Sequence, residues 1–228
     1  MGINENIQKI REDIENTCIR IGRKNDVKIV AVTKNVTVDR IIEAINCGIK
    51  DIGENRVQEL MSKIDLIKPK PKFHLIGHLQ TNKVKYIFDK VELIQSLDRI
   101  ELANEIEKRA KSRNIIVNTL IEVNISNEDS KFGVKEDELL NFIEELQRFD
   151  HIQINGLMTI GSNTKDTKKV RSDFRRMYLL REKIMSEKYD RVNLDILSMG
   201  MTNDYLLAIE EGSNMVRIGT GIFGKRNN

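Results

Sequence analysis

Eight short apolar runs separated by helical stripes constrain this 228-residue chain more than anything else in it. The runs are Lys28–Thr33, Asp51–Gly53, Lys72–Ile76, Glu92–Gln95, Ile115–Val123, Ile152–Met158, Leu194–Leu197 and Met215–Ile218. Between them, Val38, Ile41, Ile42 and Ile45 recur at helical spacing, as do Ile100, Ala103, Ile106 and Ala110. Leu139, Phe142, Ile143 and Leu146 make a third stripe, and Val170, Phe174, Met177, Leu180 and Ile184 the longest. Strands alternating with helices build βαβ units and a parallel sheet. Eight of them predict an α/β fold, a closed (β/α)8 barrel of the TIM type, with an open doubly wound sheet as the competitor. Ahead of the first strand, Ile3, Ile7, Ile10, Ile14, Cys18 and Ile21 mark an extra amphipathic N-terminal helix that Gly22 ends. Little sequence follows the eighth run, so no final covering helix is expected and the N-terminal helix takes its place. No linker, repeat or low-complexity stretch divides the chain, and residues 1–228 read as one domain.

Composition narrows the partners. Charged residues make up 32% of the chain, but the signs nearly cancel to a net charge of +3, which gives no pull toward a polyanion. Lys68-Pro69-Lys70-Pro71-Lys72 and the stretch Lys165 through Arg176 are locally basic, yet neither interleaves aromatic residues for base stacking. They read as solvated faces, and no nucleic-acid partner is expected. No apolar stretch approaches the ~20 residues needed to span a membrane. The N-terminus alternates Ile with charged residues, unlike a signal peptide. Cys18 and Cys47 are far apart and without C-x-x-C spacing, which fits a reducing cytoplasm.

The candidate chemistry starts at Lys34, which follows the run Lys28-Ile29-Val30-Ala31-Val32-Thr33. Lysine is almost never buried without a partner. At the C-terminal end of a barrel strand its amine would be partly desolvated, with a lowered pKa, and suited to forming an imine. Barrels commonly hold phosphate in the loops after strands seven and eight. Those loops read Ser198-Met199-Gly200-Met201-Thr202 and Arg217-Ile218-Gly219-Thr220-Gly221, with hydroxyls and glycine-exposed backbone N–H groups that suit an anion. An imine-forming lysine facing a phosphate cradle is what pyridoxal 5'-phosphate (PLP) requires. Arg217 would then face the ring nitrogen and, having no acceptor, could only donate to it unprotonated. That weakens the ring as an electron sink and argues against transaminase or decarboxylase chemistry.

The segments Ala31-Val32-Thr33-Lys34, Gly53-Glu54-Asn55-Arg56-Val57-Gln58-Glu59, Phe73 to Lys83, Glu122 to Ser126, Ser130-Lys131-Phe132-Gly133, Gly156 to Ile160, Leu197 to Thr202 and Val216 to Gly224 resemble the pyridoxal phosphate homeostasis protein family. The matches run in order along nearly the whole chain. The resemblance implies a PLP-binding barrel related to the N-terminal domain of alanine racemases, holding PLP covalently as a carrier or buffer, without established turnover. Carried over by position, Lys34 is the Schiff-base lysine and Ser198, Gly219 and Thr220 hold the phosphate. Arg217 approaches the ring nitrogen, and Asn55 lies beside the cofactor. The partners such a carrier would serve are PLP-dependent apo-enzymes, and a monomer is expected. The chain departs from the family pattern at Thr33, usually Ser, at Asn35-Val36, at Arg56, usually Tyr, and at Phe73, often Trp.

Other candidates are weighed against plainer roles. His74 and His78 lie in strand three and its turn without a carboxylate or thiol cluster, so a structural role is read there and no metal site. Glu54 reads as structural. Lys131 and Lys83 lie near the same rim and read as solvated loop lysines, with transient transfer of PLP between lysines as the alternative. Met158, Met199 and Met201 read as packing. The rival reading is a PLP-dependent racemase, which needs a second acid/base on the opposite face of its substrate, usually a tyrosine. Of Tyr86, Tyr178, Tyr189 and Tyr205, the last is the least implausible.

Overall fold

The computed structural model describes residues 2–187 and 189–224. The N-terminal helix α1 spans Ile3–Arg20 and is followed by β1 (Lys28–Val32), α2 (Val38–Asn46), β2 (Asp51–Glu54) and α3 (Val57–Lys63). Next come β3 (Lys72–Leu75), a 3-10 turn at Thr81–Tyr86, β4 (Leu93–Leu97), α4 (Ile100–Arg113) and β5 (Val117–Glu122). A second 3-10 turn, Glu136–Glu138, leads into α5 (Leu139–Leu146). The chain continues through β6 (Ile152–Met158), α6 (Thr167–Met185), β7 (Val192–Met201), α7 (Tyr205–Glu210), β8 (Met215–Ile218) and the single-turn α8 (Thr220–Phe223). The strands pair in parallel in chain order, and β8 closes on β1 with Val30 opposite Arg217. This is the eight-stranded barrel the alternation predicts.

Strand residues alternate between two environments. Outward-facing Ala31, Ile52, Ile94, Ile121, Val216 and Ile218 share one large core with Ile41, Leu60, Ile106, Ile143 and Phe174 of the helices. Inside, Val30, Leu93, Leu120, Met158 and Met215 form a separate small apolar layer, with Ile196 against it. Two steps further along β1, β5 and β8 the inward positions are Val32, Glu122 and Arg217, and Lys34 continues the β1 series. Glu122 and Arg217 thus bring charge inside the barrel at the C-terminal ends of these strands. That charge places the site.

Helix α1 buries Ile3, Ile7, Ile10, Ile14 and Cys18 and lies against α2, α7 and α8. Its end follows the expected stop: Gly22 adopts φ +67°, and the Arg23 N–H reaches back to the Cys18 carbonyl at 2.9 Å. Asn6 Nδ2 donates to the Ile222 carbonyl at 2.9 Å, which ties α1 to α8. Where no covering helix was expected after β8, the described residues hold only α8, a single turn that meets α1 but is too short to cover the barrel. Residues 225–228, which that expectation also concerned, lie outside the described residues.

Two boundaries and one helix differ in ways that matter. Strand β1 stops at Val32, so Thr33 and Lys34 belong to the turn. Strand β7 runs to Met201, through Ser198-Met199-Gly200-Met201, which read from sequence as a loop. Its register shifts against β8 between Ser198 and Met201. Gly200 makes this possible: it adopts φ +93°, and a Cβ there would lie 2.5 Å from the Ala208 Cβ of α7. Helix α3, seven residues long, had no clear stripe in the sequence.

Candidate functional site

The mouth at the C-terminal ends of the strands opens into a cavity of about 710 Å³ lined by Val32, Lys34, Met201, Thr202, Arg217, Gly219 and Thr220, with the loop after β6 on its other wall. That volume lies in the range of ligand sites. Four of the six expected site residues, Lys34, Arg217, Gly219 and Thr220, thus face one space. A crevice of similar size, about 730 Å³, lies at the opposite end between α1 and the starts of β1 and β2. That is the stability face of such barrels, and Lys34 and Arg217 are absent from its walls.

Ser198 lies deeper than these four. It lies in β7, fully buried, one level below the mouth. Its Oγ donates to Gln95 Oε1 at 2.7 Å and accepts from Arg217 Nη1 at 2.6 Å. β7 continues three residues past it, to Met201. The Thr220 and Thr202 hydroxyls, both lining the cavity, lie 3.3 Å apart, and Thr202 Oγ1 also accepts from the Gly221 N–H at 3.2 Å.

Arg217 is almost wholly buried and its second fork nitrogen donates to the Thr159 carbonyl at 2.8 Å. From Ser198 the chain of bonds continues downward. Gln95 Nε2 meets His74 Nδ1 at 2.9 Å, and His74 Nε2 meets Asp51 Oδ1 at 3.1 Å. The amide nitrogen can only donate, so His74 accepts on Nδ1 and donates from Nε2. Five side chains thereby pass hydrogen bonds in one direction, from Arg217 to Asp51, through the barrel axis. A satisfied interior network of this kind fixes its members rather than merely tolerating them. Burial pulls the Arg217 guanidinium down to about 10, with Glu122 and Asp204 opposing that fall, so it stays charged at neutral pH.

Glu122, at the end of β5, is the residue sequence reasoning passed over. Burial raises its carboxyl to about 7; the nearby Asp98 adds to the rise and Arg217 opposes it. Its Oε2 is buried with no hydrogen-bond partner among the described residues, as is Asn55 Oδ1. Buried orphan acceptors are uncommon and mark places where a donor from outside the chain can be received. Asn55 follows β2 and is held there by the turn after β3. A Cβ on Gly77 would lie 2.4 Å from the Asn55 carbonyl oxygen, so only glycine lets the two backbones approach.

The remaining candidates are placed as follows. His78 Nδ1 meets Asp98 Oδ2 at 3.0 Å, and its ring stacks on Phe132 with centroids 3.8 Å apart. Lys131 Nζ is held by Glu128 at 2.7 Å, the Gly161 carbonyl at 3.0 Å and Ser126 at 3.2 Å, bridging the loops after β5 and β6. Lys83 lies in the 3-10 turn, 5.8 Å from the Tyr86 ring centre. Tyr205 turns away from the mouth and donates to Asp13 of α1 at 3.1 Å. Met158 and Met199 are core residues; Met201 lines the cavity. In the basic stretch before and within α6, Arg171 pairs with Glu210 and Glu211, and Arg176 with Glu136.

A barrel with a lysine after its first strand and a buried arginine in its last defines a class. The alanine racemase N-terminal domain family matches residues 3–227, and an alanine racemase from Clostridium difficile shares the fold, with a TM-score of 0.73 at 15% identity over 98% of this chain and 57% of that one. Within that class the likeness sharpens. The pyridoxal phosphate homeostasis protein of Aquifex aeolicus is 43% identical over 99% of both chains, and that of Haemophilus influenzae 36% identical over 100% of this chain and 97% of the relative. PipY of Synechococcus elongatus, solved with PLP bound, superposes with a TM-score of 0.85 at 27% identity, over 98% of this chain and 100% of that one. This chain belongs to the pyridoxal phosphate homeostasis protein family.

Proposed function

We propose that this protein binds PLP as a Schiff base on Lys34 and carries or buffers it for vitamin B6 homeostasis, with amino-acid balance as an indirect consequence and no turnover of its own. The observation that carries the reading is the convergence of Lys34, Arg217, Gly219 and Thr220 on one cavity in the barrel mouth. The donor set suits the molecule. Lys34 supplies an amine for the aldehyde, the Thr220 and Thr202 hydroxyls with the Gly219 turn suit the phosphate, and the charged Arg217 donates toward the ring nitrogen. The orphan Oδ1 of Asn55 is a ready acceptor at the ring's edge. Bound PLP supplies an electrophilic carbon that reacts reversibly with amines.

Ser198 serves this site from below, by fixing Arg217, and the phosphate falls to Thr220 and Thr202. Thr220→Val is therefore expected to weaken binding of pyridoxine 5'-phosphate about tenfold, the scale of one hydrogen bond to a charged group, as read by calorimetric titration. Unchanged affinity would place the phosphate elsewhere.

The reading is favoured over racemisation because Tyr205, the least implausible second acid/base, donates to Asp13 of α1. The protein works as a cytoplasmic monomer of one domain, and PLP-dependent apo-enzymes are its recipients. The direct test is the visible spectrum of purified protein with added PLP, followed by borohydride reduction and peptide mapping. A yellow adduct reduced onto Lys34 is expected. Turnover of D- and L-alanine at ordinary enzymatic rates, dependent on Lys34, would overturn the carrier reading in favour of a racemase.

A further inference from the structure

Lys34 lies in a three-residue turn whose neighbours on both sides are tied to a single buried ion network. Thr33 comes first. Its Oγ1 donates to Glu54 Oε1 at 2.6 Å, and its carbonyl accepts from Lys63 Nζ at 2.8 Å. On the other side, the Asn35 N–H donates to Glu59 Oε1 at 2.5 Å. Asn35 has φ +59°, a left-handed conformation in which Asn is tolerated better than other non-glycine residues. The same Lys63 Nζ joins the two carboxylates, at 2.8 Å from Glu54 Oε1 and 2.6 Å from Glu59 Oε1. All three Lys63 N–H donors are thus spent, one of them on the backbone beside Lys34.

The network sits behind the mouth, on the outer face of β1 and β2 where α3 covers them. The side chains of Glu54 and Lys63 are 1% and 11% exposed, and burial raises the Glu54 carboxyl while Lys63 and Thr33 oppose the rise. Charge buried this deeply costs more than an apolar packing of the same volume would. An apolar contact, however, could hold only the volume of α3 against β1. Directed bonds to the backbone on both sides of residue 34 hold the direction in which the next side chain leaves the turn.

We infer that Lys63, acting through Glu54 and Glu59, is the positioning residue that aims the Lys34 amine into the mouth. The inference rests on the PLP reading. In the step it serves, the neutral Lys34 amine adds to the aldehyde carbon, a C=N bond replaces the C=O bond and one water leaves, with no change of oxidation state. Lys63 itself, with its Nζ donating to three acceptors, is held out of that reaction. Correct alignment of an attacking group is worth large factors in rate, and small misplacements cost heavily.

The test compares wild type, Lys63→Met and Glu59→Gln with two ligands. PLP can condense with Lys34, whereas pyridoxine 5'-phosphate carries an alcohol in place of the aldehyde and can only bind. Stopped-flow absorbance is expected to show Schiff-base formation slowed at least about tenfold in Lys63→Met, the scale of lost orientation, and slowed less in Glu59→Gln. Calorimetric affinity for pyridoxine 5'-phosphate should stay at the wild-type value in both. Glu59→Gln keeps the fold's shape and carries the test where Lys63→Met fails to fold. Wild-type condensation rates in a folded variant would overturn the inference. So would equal losses for both ligands, which would mark the network as structural only. A wild-type protein that binds both ligands but yields no reducible adduct would instead remove the PLP reading beneath it.

Discussion

Lys34→Ala is expected to lose the yellow adduct entirely and to release PLP on gel filtration. The variant should still bind the phosphate-bearing ring, because Thr202, Gly219, Thr220 and Arg217 are supplied by β8 and the turns after β7 and β8. Its affinity for PLP should fall to that for pyridoxine 5'-phosphate, which never gains from condensation. Borohydride and mass mapping check this directly: label on Lys34 in the wild type, none in the variant. Lys131→Ala and Lys83→Ala are the controls and should stay yellow. The Lys131 amine is already engaged by Glu128, Ser126 and a backbone carbonyl, and Lys83 stands over a tyrosine ring in the turn after β3. A Lys34→Ala protein that keeps its colour would move the anchor to another lysine and leave the phosphate loops to be explained afresh.

The same rule that exposed Lys34 was available for residues it was not applied to. A charged or amide side chain within a strand buried on both faces demands a partner or a function. Read that way, Glu122 near the end of the run Ile115–Val123 and Gln95 at the end of Glu92–Gln95 were both visible in the sequence. Gln95 proves to carry the hydrogen-bond chain from Ser198 to His74, and Glu122 ends β5 with a buried orphan oxygen. The end of β7 was hidden for a different reason. Ser-Met-Gly-Met carries the composition of a turn, and only the close fit of Gly200 against α7 shows that β7 continues through it.

Lys63 lay beyond sequence reasoning. Its one local signal is the spacing of Glu59 and Lys63 at i and i+4, which on most helices marks a solvated surface pair of little consequence. What makes it matter is the backbone of residues 33 and 35, nearly thirty residues earlier, and nothing local encodes that meeting. The barrel, by contrast, was legible because its signal is repetitive. Eight strands and their helices each contribute a short, independent match to the same pattern, and errors of a few residues at strand ends leave the closure unchanged.

Glu122→Gln is expected to remove a pH dependence of stability that the unliganded wild type should show between about pH 4.5 and 7. The folded-state carboxyl is raised to about 7 by burial, against an ordinary value of 4.5. Between those values the folded protein holds a proton that the unfolded chain has released. Stability therefore falls as pH rises through this window and stays low above it. At about 1.4 kcal/mol for each tenfold, the span corresponds to about 3 kcal/mol. Glutamine keeps the shape of the side chain and cannot ionise, so the variant should gain on the wild type by up to that amount between pH 5 and 8, as read by urea unfolding at both pH values. Parallel curves would show that Arg217 fully compensates the ionised carboxylate. The expected divergence would instead identify Glu122 as a group that keeps its proton beside the Arg217 charge up to about pH 7, where that proton can be offered to a ligand. Adding pyridoxine 5'-phosphate distinguishes the consequences: if the bound ring engages Glu122, saturating ligand should flatten the wild-type curve toward that of the variant.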